Sequence, residues 1–147
     1  APDPQKTPDE FHRKLGHIIW NACGMARKKS TLEQAIKEIK ALRQQFWRQI
    51  KVTGNDDSLN QTLERAGRVA DFFELAELMC IDALTREESC GCHAREEHIT
   101  NEGEAQRHDD DFAYVAAWQF SGNLSIPVLY KEELDFEFVR PTTRNYR

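Results

Sequence analysis

Residues 58–86 read SLNQTLERAGRVADFFELAELMCIDALTR, and their periodicity decides the fold. Leu59, Leu63, Ala66, Val69, Ala70, Phe73, Ala76, Met79, Cys80 and Ala83 recur at three- and four-residue steps, which gathers them on one face of a long helix. Two more such stripes lie upstream. Thr7-Pro8-Asp9-Glu10 has the form of a helix start, with Thr7 as N-cap, proline at the first helical position and acids where the helix dipole favours them. The helix it opens is predicted from about Pro8 to Lys29, with Phe11, Leu15, Ile18, Ile19, Ala22 and Met25 on its apolar face. Ser30 or Thr31, with Glu33 close behind, starts a second helix striped by Leu32, Ile36, Ile39, Leu42, Phe46 and Ile50, and the run Gly54-Asn55-Asp56-Asp57-Ser58 ends it. Three amphipathic helices joined by short turns pack as an up-down-up bundle of the spectrin-repeat kind, with the third helix central. The expected class is therefore mainly α, with a linker at 1–6 and the bundle at 7–86.

Composition bounds what such a chain can do. Its 147 residues, 39% of them hydrophobic, can bury roughly two thirds of their unfolded surface, so a core is expected and disorder is not. Apolar stretches such as Ala113 to Ala117 fall far short of the roughly 20 residues that cross a bilayer. The formal net charge of -5 argues against a dedicated nucleic-acid binder, which needs a basic face. Cys23, Cys80, Cys90 and Cys92 are irregularly spaced with no apolar signal segment before them, a pattern of a reduced cytosolic setting. Ala1-Pro2-Asp3-Pro4 opens without methionine and reads as linker, as expected of a fragment of something longer. No G-x-G-x-x-G loop is present, so a nucleotide cofactor would be bound elsewhere.

After Arg86 the character changes. Glu87 to Asp111 holds nine acids, two arginines, Cys90, Cys92 and the three histidines His93, His98 and His108, without hydrophobic periodicity. A long irregular loop is expected there, then a strand over Phe112 to Phe120, a turn at Ser121-Gly122-Asn123, and a partner strand over Val128 to Val139. Residues 87–147 thus form an irregular loop and a two-stranded antiparallel β ribbon, which must lie on the bundle or on another domain. Three chemistries fit the loop. Cys90, Cys92, His93 and His98 offer zinc ligands, although one C-x-C-H cluster rarely closes a tetrahedron alone. Cys90 or Cys92 beside His93 offers a nucleophile, although the surrounding acids would raise a thiol pKa. The third reading is structural: Arg86 and Arg95 tie the loop down through bidentate carboxylate pairs, shaping a surface for a neighbour.

Glu88-Ser89-Cys90-Gly91-Cys92-His93-Ala94-Arg95-Glu96-Glu97, followed by Arg107-His108-Asp109-Asp110, resembles the E-S-R-G-A-H-x-R-x-D... R-D-D signature of the flavoprotein subunit of succinate dehydrogenase and fumarate reductase. The stretch Leu15 to Arg27, with Cys23-Gly24-Met25-Ala26-Arg27 at its end, is similar to that family's first C-terminal-domain helix, which ends in V-G-x-x-R, and Arg144-Asn145-Tyr146-Arg147 is similar to its closing R-x-Y. Cys90 replaces the usual arginine, Cys92 the usual alanine, and His98 to Gln106 replaces a shorter proline-containing link. These departures resemble the branch that serves a single-cytochrome, quinone-linked complex.

The resemblance implies an oxidoreductase only when whole. An upstream domain of that family holds a covalently attached FAD, succinate and fumarate interconvert by hydride transfer to or from the flavin, and electrons leave through an iron-sulfur subunit toward a membrane cytochrome b subunit. It implies a peripheral place on the cytoplasmic face of the inner membrane. Flavin and substrate ligands lie upstream, so no catalytic, cofactor-binding or metal residue is assigned in this chain. The contact surface with the FAD-binding domain is expected at Glu88, Ser89, Gly91, His93, Arg95, Arg107, Asp109 and Asp110. The alternative is a stand-alone helical adaptor whose acidic Cys/His loop binds a protein partner or zinc.

Other residues have plainer readings. Trp20, Phe46, Trp47, Phe72 and Phe73 stand at helical spacing and are expected in the core, and Cys23 and Cys80 lie on apolar stripes as small hydrophobes. His12 and His17 receive no role. Arg27 to Lys51 carries eight basic and two acidic residues, which suits either a solvated helix face or an acidic partner such as the iron-sulfur subunit.

Overall fold

The computed structural model describes residues 5–55, 57–123 and 126–142. Three long helices, α1 (Pro8–Cys23), α2 (Lys29–Gln49) and α3 (Gln61–Thr85), each pack on the other two. A four-residue turn of helix, α4 (Asp109–Phe112), then leads into β1 (Tyr114–Gln119), which pairs antiparallel with β2 (Val128–Glu133) in the register Tyr114↔Glu133 to Gln119↔Val128. The expected mainly helical bundle with a C-terminal ribbon is what the chain forms.

The core grows from the three stripes. Phe11 of α1, Phe46 of α2 and Phe73 of α3 are fully buried and in ring contact, the first pair edge on with centroids 5.3 Å apart and the second tilted at 5.4 Å. Leu15, Leu32, Ile39, Val69, Ala76 and Ala83 extend that layer along the bundle. One charge is buried among them: Glu77 of α3 accepts a hydrogen bond from Arg43 Nη1 at 2.6 Å, with Lys40 Nζ at 3.5 Å. Two members of the basic run on α2, half-buried Lys40 and Arg43, therefore pair with a buried acid of the bundle.

Several boundaries and core positions differ from the sequence-based expectation. α1 ends at Cys23, not Lys29, because the backbone of Arg27 leaves the helix to pair with the loop, donating to the Ala94 carbonyl and accepting from Glu96 N–H, both at 2.8 Å. Gly24 makes the exit: a Cβ there would stand 2.5 Å from the Trp20 carbonyl oxygen. α2 starts at Lys29 rather than after Ser30, α3 starts behind an Asn60 cap, and both strands are shorter than their apolar runs. Trp20 (81% exposed), Met25 (91%) and Trp47 (66%) are outside the core that their spacing suggested, and Phe72 is only partly covered. For Trp20, Trp47 and Phe72 helical spacing reaches the edge of the stripe, and three helices close over a narrower seam than the stripe is wide. Leu63 lies outside the core for the same reason, whereas Met25 lies past the end of α1 and Leu59 before the start of α3. Cys23 and Cys80 are buried as expected. Ala1 to Pro4 of the linker and the terminal Arg144-Asn145-Tyr146-Arg147 lie outside the described residues.

The contrast between Phe73 and Trp20 gives a direct check. Phe73→Ala is expected to lower unfolding stability by about 4 kcal/mol, the cost of a cavity at a buried aromatic, and Trp20→Ala to change it by less than about 0.5 kcal/mol, as read from urea denaturation of the purified chain.

Candidate functional site: an arginine clasp on the helix ends

The segment from Arg86 to His108 is irregular in backbone but closely bonded. Arg95 is its hub and is 1% exposed. Its Nη1 donates to the carbonyls of Ala83 at 2.9 Å, Leu84 at 3.3 Å and Arg86 at 3.4 Å, the groups that the last turn of α3 leaves without helical partners. A cation there also complements the negative end of the helix dipole. The Ser89 hydroxyl locks the hub's backbone by donating to Arg95 O at 3.1 Å and accepting from Arg95 N–H at 2.8 Å.

Glu97 carries the clasp to a second helix. Its carboxylate accepts from Arg95 Nε at 3.2 Å and from Lys29 N–H, at the start of α2, at 2.6 Å. Lys28 precedes α2 without a side-chain cap of its own, so an acid from a distant loop does that work. Burial pushes the Glu97 carboxyl up, but the Lys29 and Glu97 backbone N–H groups and the Arg95 guanidinium outweigh it and hold the pKa below the usual carboxylate range.

His93 reaches the third helix. Its Nδ1 is 2.7 Å from Arg27 Nη1 and its Nε2 is 2.9 Å from the Arg86 carbonyl. A guanidinium can only donate, so Nδ1 accepts and Nε2 carries the proton. The imidazole is buried and neutral. Burial depresses its pKa from the ordinary value of 6.5, the Arg27, Arg95 and Arg86 charges add to that, and the bond to the Arg86 carbonyl opposes it.

The rest of the signature closes the ribbon onto this base. Buried Glu88 accepts from Arg86 Nη1 at 2.9 Å and from His108 N–H at 3.0 Å. Arg86 also donates to the carbonyls of Phe112 and Tyr114 and lies 4.8 Å over the Tyr114 ring, while Trp118 Nε1 donates to Asp82 of α3 at 2.7 Å. The bidentate pair of the segment is Arg107 with Asp109, at 2.7 to 2.9 Å, rather than one involving Arg86 or Arg95; it raises the Arg107 pKa further. Arg107 reaches the Thr142 carbonyl as well, at 3.0 Å. His98 to Gln106 forms a small hairpin, closed by Gln106 N–H on the His98 carbonyl at 3.1 Å and tied to the clasp by Ser89 N–H on the Gln106 carbonyl at 2.8 Å.

The eight expected contact residues thus divide. Glu88, Ser89, His93 and Arg95 are buried and bonded within the chain, Arg107 and Asp109 are half-buried, and Gly91 and Asp110 are exposed. Gly91 stands with Cys92 at the tip of a two-residue turn between Cys90 and His93, with a left-handed φ of 59°. Both ring nitrogens of His93 are engaged internally, and among the described residues no three Cys, His, Asp or Glu side chains converge to hold a metal ion. Sequence reasoning missed Arg27 and Glu97 as members of the site. Arg27 was visible as the end of the first motif, and Glu97 as the last position of the signature, where the family has Asp.

The comparisons with known proteins fit this geometry. Residues 12–146 match the family described as fumarate reductase flavoprotein C-term. Over 96% of its length the chain superimposes on 23% of a quinol-fumarate reductase chain solved with menaquinol, at a TM-score of 0.78 and 20% identity. Over 97% it superimposes on 23% of a mutant FrdA of E. coli quinol fumarate reductase, at 0.73 and 19%, and over 95% on 22% of the Mycobacterium smegmatis Sdh1 complex, at 0.69 and 17%. The L-aspartate oxidase of Synechocystis sp. is 25% identical over 113 residues, which are 68% of this chain and 20% of that protein. A helical bundle with a clasped ribbon is thus the C-terminal part of a flavoprotein class. The chain belongs to the fumarate reductase flavoprotein C-terminal family, and it spans about a fifth of the length of the relatives it matches.

Two outcomes test the clasp. Arg95→Lys, which keeps charge but loses the planar fork, is expected to cost about 2 kcal/mol in urea unfolding. His93 binds a proton less readily folded than unfolded, so stability falls as the pH drops below 6.5 toward the folded pKa. His93→Gln should flatten that limb below pH 6.5, as followed by urea midpoints against pH.

Proposed function

We propose that this chain is the C-terminal, structural part of a flavoprotein subunit that interconverts succinate and fumarate by hydride transfer to or from FAD. The observation that carries the reading is the clasp. The signature side chains Glu88, Ser89, His93 and Arg95 are bonded inside the chain and, with Glu97, hold the end of α3, the start of α2 and the Arg27 segment that follows α1, which is the work of a scaffold. The described residues do not fit FAD: none of their left-handed glycines joins a strand to a helix start, and the ribbon supplies no parallel sheet for a dinucleotide. The flavin belongs to an upstream domain, covalently attached there, and no step of the reaction runs through these residues.

The proposed contact with that domain lies at Gly91, Arg107, Asp109 and Asp110 on the outer side of the clasp, with Glu88, Ser89, His93 and Arg95 fixing their positions from within. A groove of about 410 Å³ beside them, between Arg86, Cys90 and Arg107 on one side and Leu134, Phe136 and Pro141 on the other, gives a neighbouring domain relief to fit. Exposed Phe120, Phe136, Phe138 and Val139 extend apolar surface along the ribbon and the segment after it, as expected where a partner covers the chain. The iron-sulfur subunit is the acidic-partner candidate for the exposed remainder of the α2 basic run, and a membrane cytochrome b subunit is reached through it. No described helix is long and apolar enough to cross a membrane, which suits peripheral attachment on the cytoplasmic face through those partners.

The likeness to an L-aspartate oxidase supports a second reading, in which the whole flavoprotein oxidises an amino acid. One experiment separates the readings. An antibody to this chain is used on source-cell extract after a denaturing gel viewed under ultraviolet light. A fluorescent band several times the chain's mass, with immunoprecipitated succinate-dependent dye reduction, is the expected result. A heavy band with only aspartate-dependent reduction supports the second reading, and a dark band at the chain's own 17.1 kDa returns the function to an adaptor.

A further inference from the structure

The seam between α3 and the ribbon is closed at one end and open at the other. Arg86 donates to the Tyr114 carbonyl at 3.2 Å, and one turn earlier Asp82 accepts from Trp118 Nε1 at 2.7 Å. Leu78, Leu75 and Asp71 precede Asp82 on the same face of α3. Tyr114, Ala116 and Trp118 alternate toward the bundle along β1, and Phe120 just beyond it continues that alternation. At these continuations the two elements part: Leu75 is 55% exposed and Phe120 64%, against 7% for Tyr114 at the closed end. The opening is a groove of about 410 Å³ whose walls include Asp71, Glu74, Leu75, Leu78, Trp118 and Phe120.

We propose that this groove is a second docking site for the upstream part of the same polypeptide, which sets an apolar side chain between Leu75 and Phe120 and a neighbouring lysine or arginine against Asp71 and Glu74. The proposal rests on reading the chain as the end of a longer flavoprotein, and it adds a contact at the opposite end of the ribbon from the clasp.

Charge at the rim selects the chemistry of the occupant. Asp71 and Glu74 are exposed and without a bonded partner among the described residues, and Arg68, three residues before Asp71, is already paired with Glu64. Two carboxylates at this spacing on one helix face repel each other, and a cation between them relieves both. At a rim that keeps its water such a contact orients the partner, while the apolar walls hold it. Size selects the source. A separate partner in a stable complex buries roughly 1,200 Å² or more, whereas this groove admits one or two side chains. A covalently continuous domain meets it at high effective concentration and needs no such area. The chain spans about a fifth of the length of the relatives it matches, which leaves room for such a domain in a polypeptide of their kind.

The test is hydroxyl-radical footprinting of the full-length polypeptide, monomeric and free of other subunits, with oxidation read residue by residue and compared with the same protein unfolded in urea. Leu75 and Phe120 are expected to be slowed as strongly as Phe73, which is fully buried in the core. In Asp71→Lys with Glu74→Lys, both on the surface of α3, Leu75 and Phe120 should regain oxidation several-fold while Phe73 stays protected. Slowing of Leu75 and Phe120 by no more than their 55% and 64% exposure dictates would overturn the proposal. Protection unchanged in the double variant would overturn the cationic occupant, and protection that arises only when other subunits are bound would overturn the assignment to the upstream part. A polypeptide no longer than this chain removes both this contact and the function proposed above. A long flavoprotein active on succinate with the groove open removes this contact alone, and a long polypeptide inactive on succinate with the groove protected removes only that function.

Discussion

The guanidinium of Arg95 against the open carbonyls at the end of α3 is the constraint on which the rest of the structure depends. A helix of 25 residues ends there with several acceptors that must be satisfied, and the chain continues into a segment with no hydrophobic stripe to hold it. By placing a buried cation on those carbonyls the protein solves both problems at once. Burial of that cation requires a counter-charge, and Glu97 supplies it, while the Ser89 hydroxyl fixes the Arg95 backbone. Glu97 then becomes available to cap α2, and the neighbouring His93 to receive Arg27 after α1. The end of α3 and the start of α2 are thereby referred to one side chain, and His93 brings Arg27 to the same Arg86 carbonyl.

This arrangement explains how a loop without regular structure can present a fixed surface. Hydrogen bonds from the loop to helix ends act over short distances and in part-buried surroundings, where each contributes more than an exposed ion pair would. Exposed pairs such as Lys28 with Glu96 add little beside them. The ribbon follows from the same base, since Arg86 and Asp82 at the end of α3 hold Tyr114 and Trp118 of β1.

Much of this was legible in the sequence, for identifiable reasons. Three long stripes fix three helices because period and burial agree over many turns, and the Thr7 capping box places the first helix start. The signature Glu88 to Arg95 could be recognised, and Arg86 and Arg95 were read as ties to carboxylates, as they are to Glu88 and Glu97. Their carbonyl partners could not be read, because carbonyls at a helix end have no residue identity. For the same reason α1 was drawn six residues too long: Arg27 has good helix propensity, and only its distant pairing with Ala94 and Glu96 removes it. The exposed Trp20 and Trp47 show the opposite limit, since spacing names a face but not how wide a seam the neighbouring helices close.

The most direct measurement of the clasp is hydrogen exchange at individual amides. The N–H groups of Arg27, Ser89, Arg95 and Glu96, all bonded within the clasp, should exchange slowly and together with the last turn of α3. Exchange of Ser89, Arg95 and Glu96 at the rate of an open loop, while Val69 to Ala83 of α3 stay protected, would contradict it and would leave the bundle without the hub described for it.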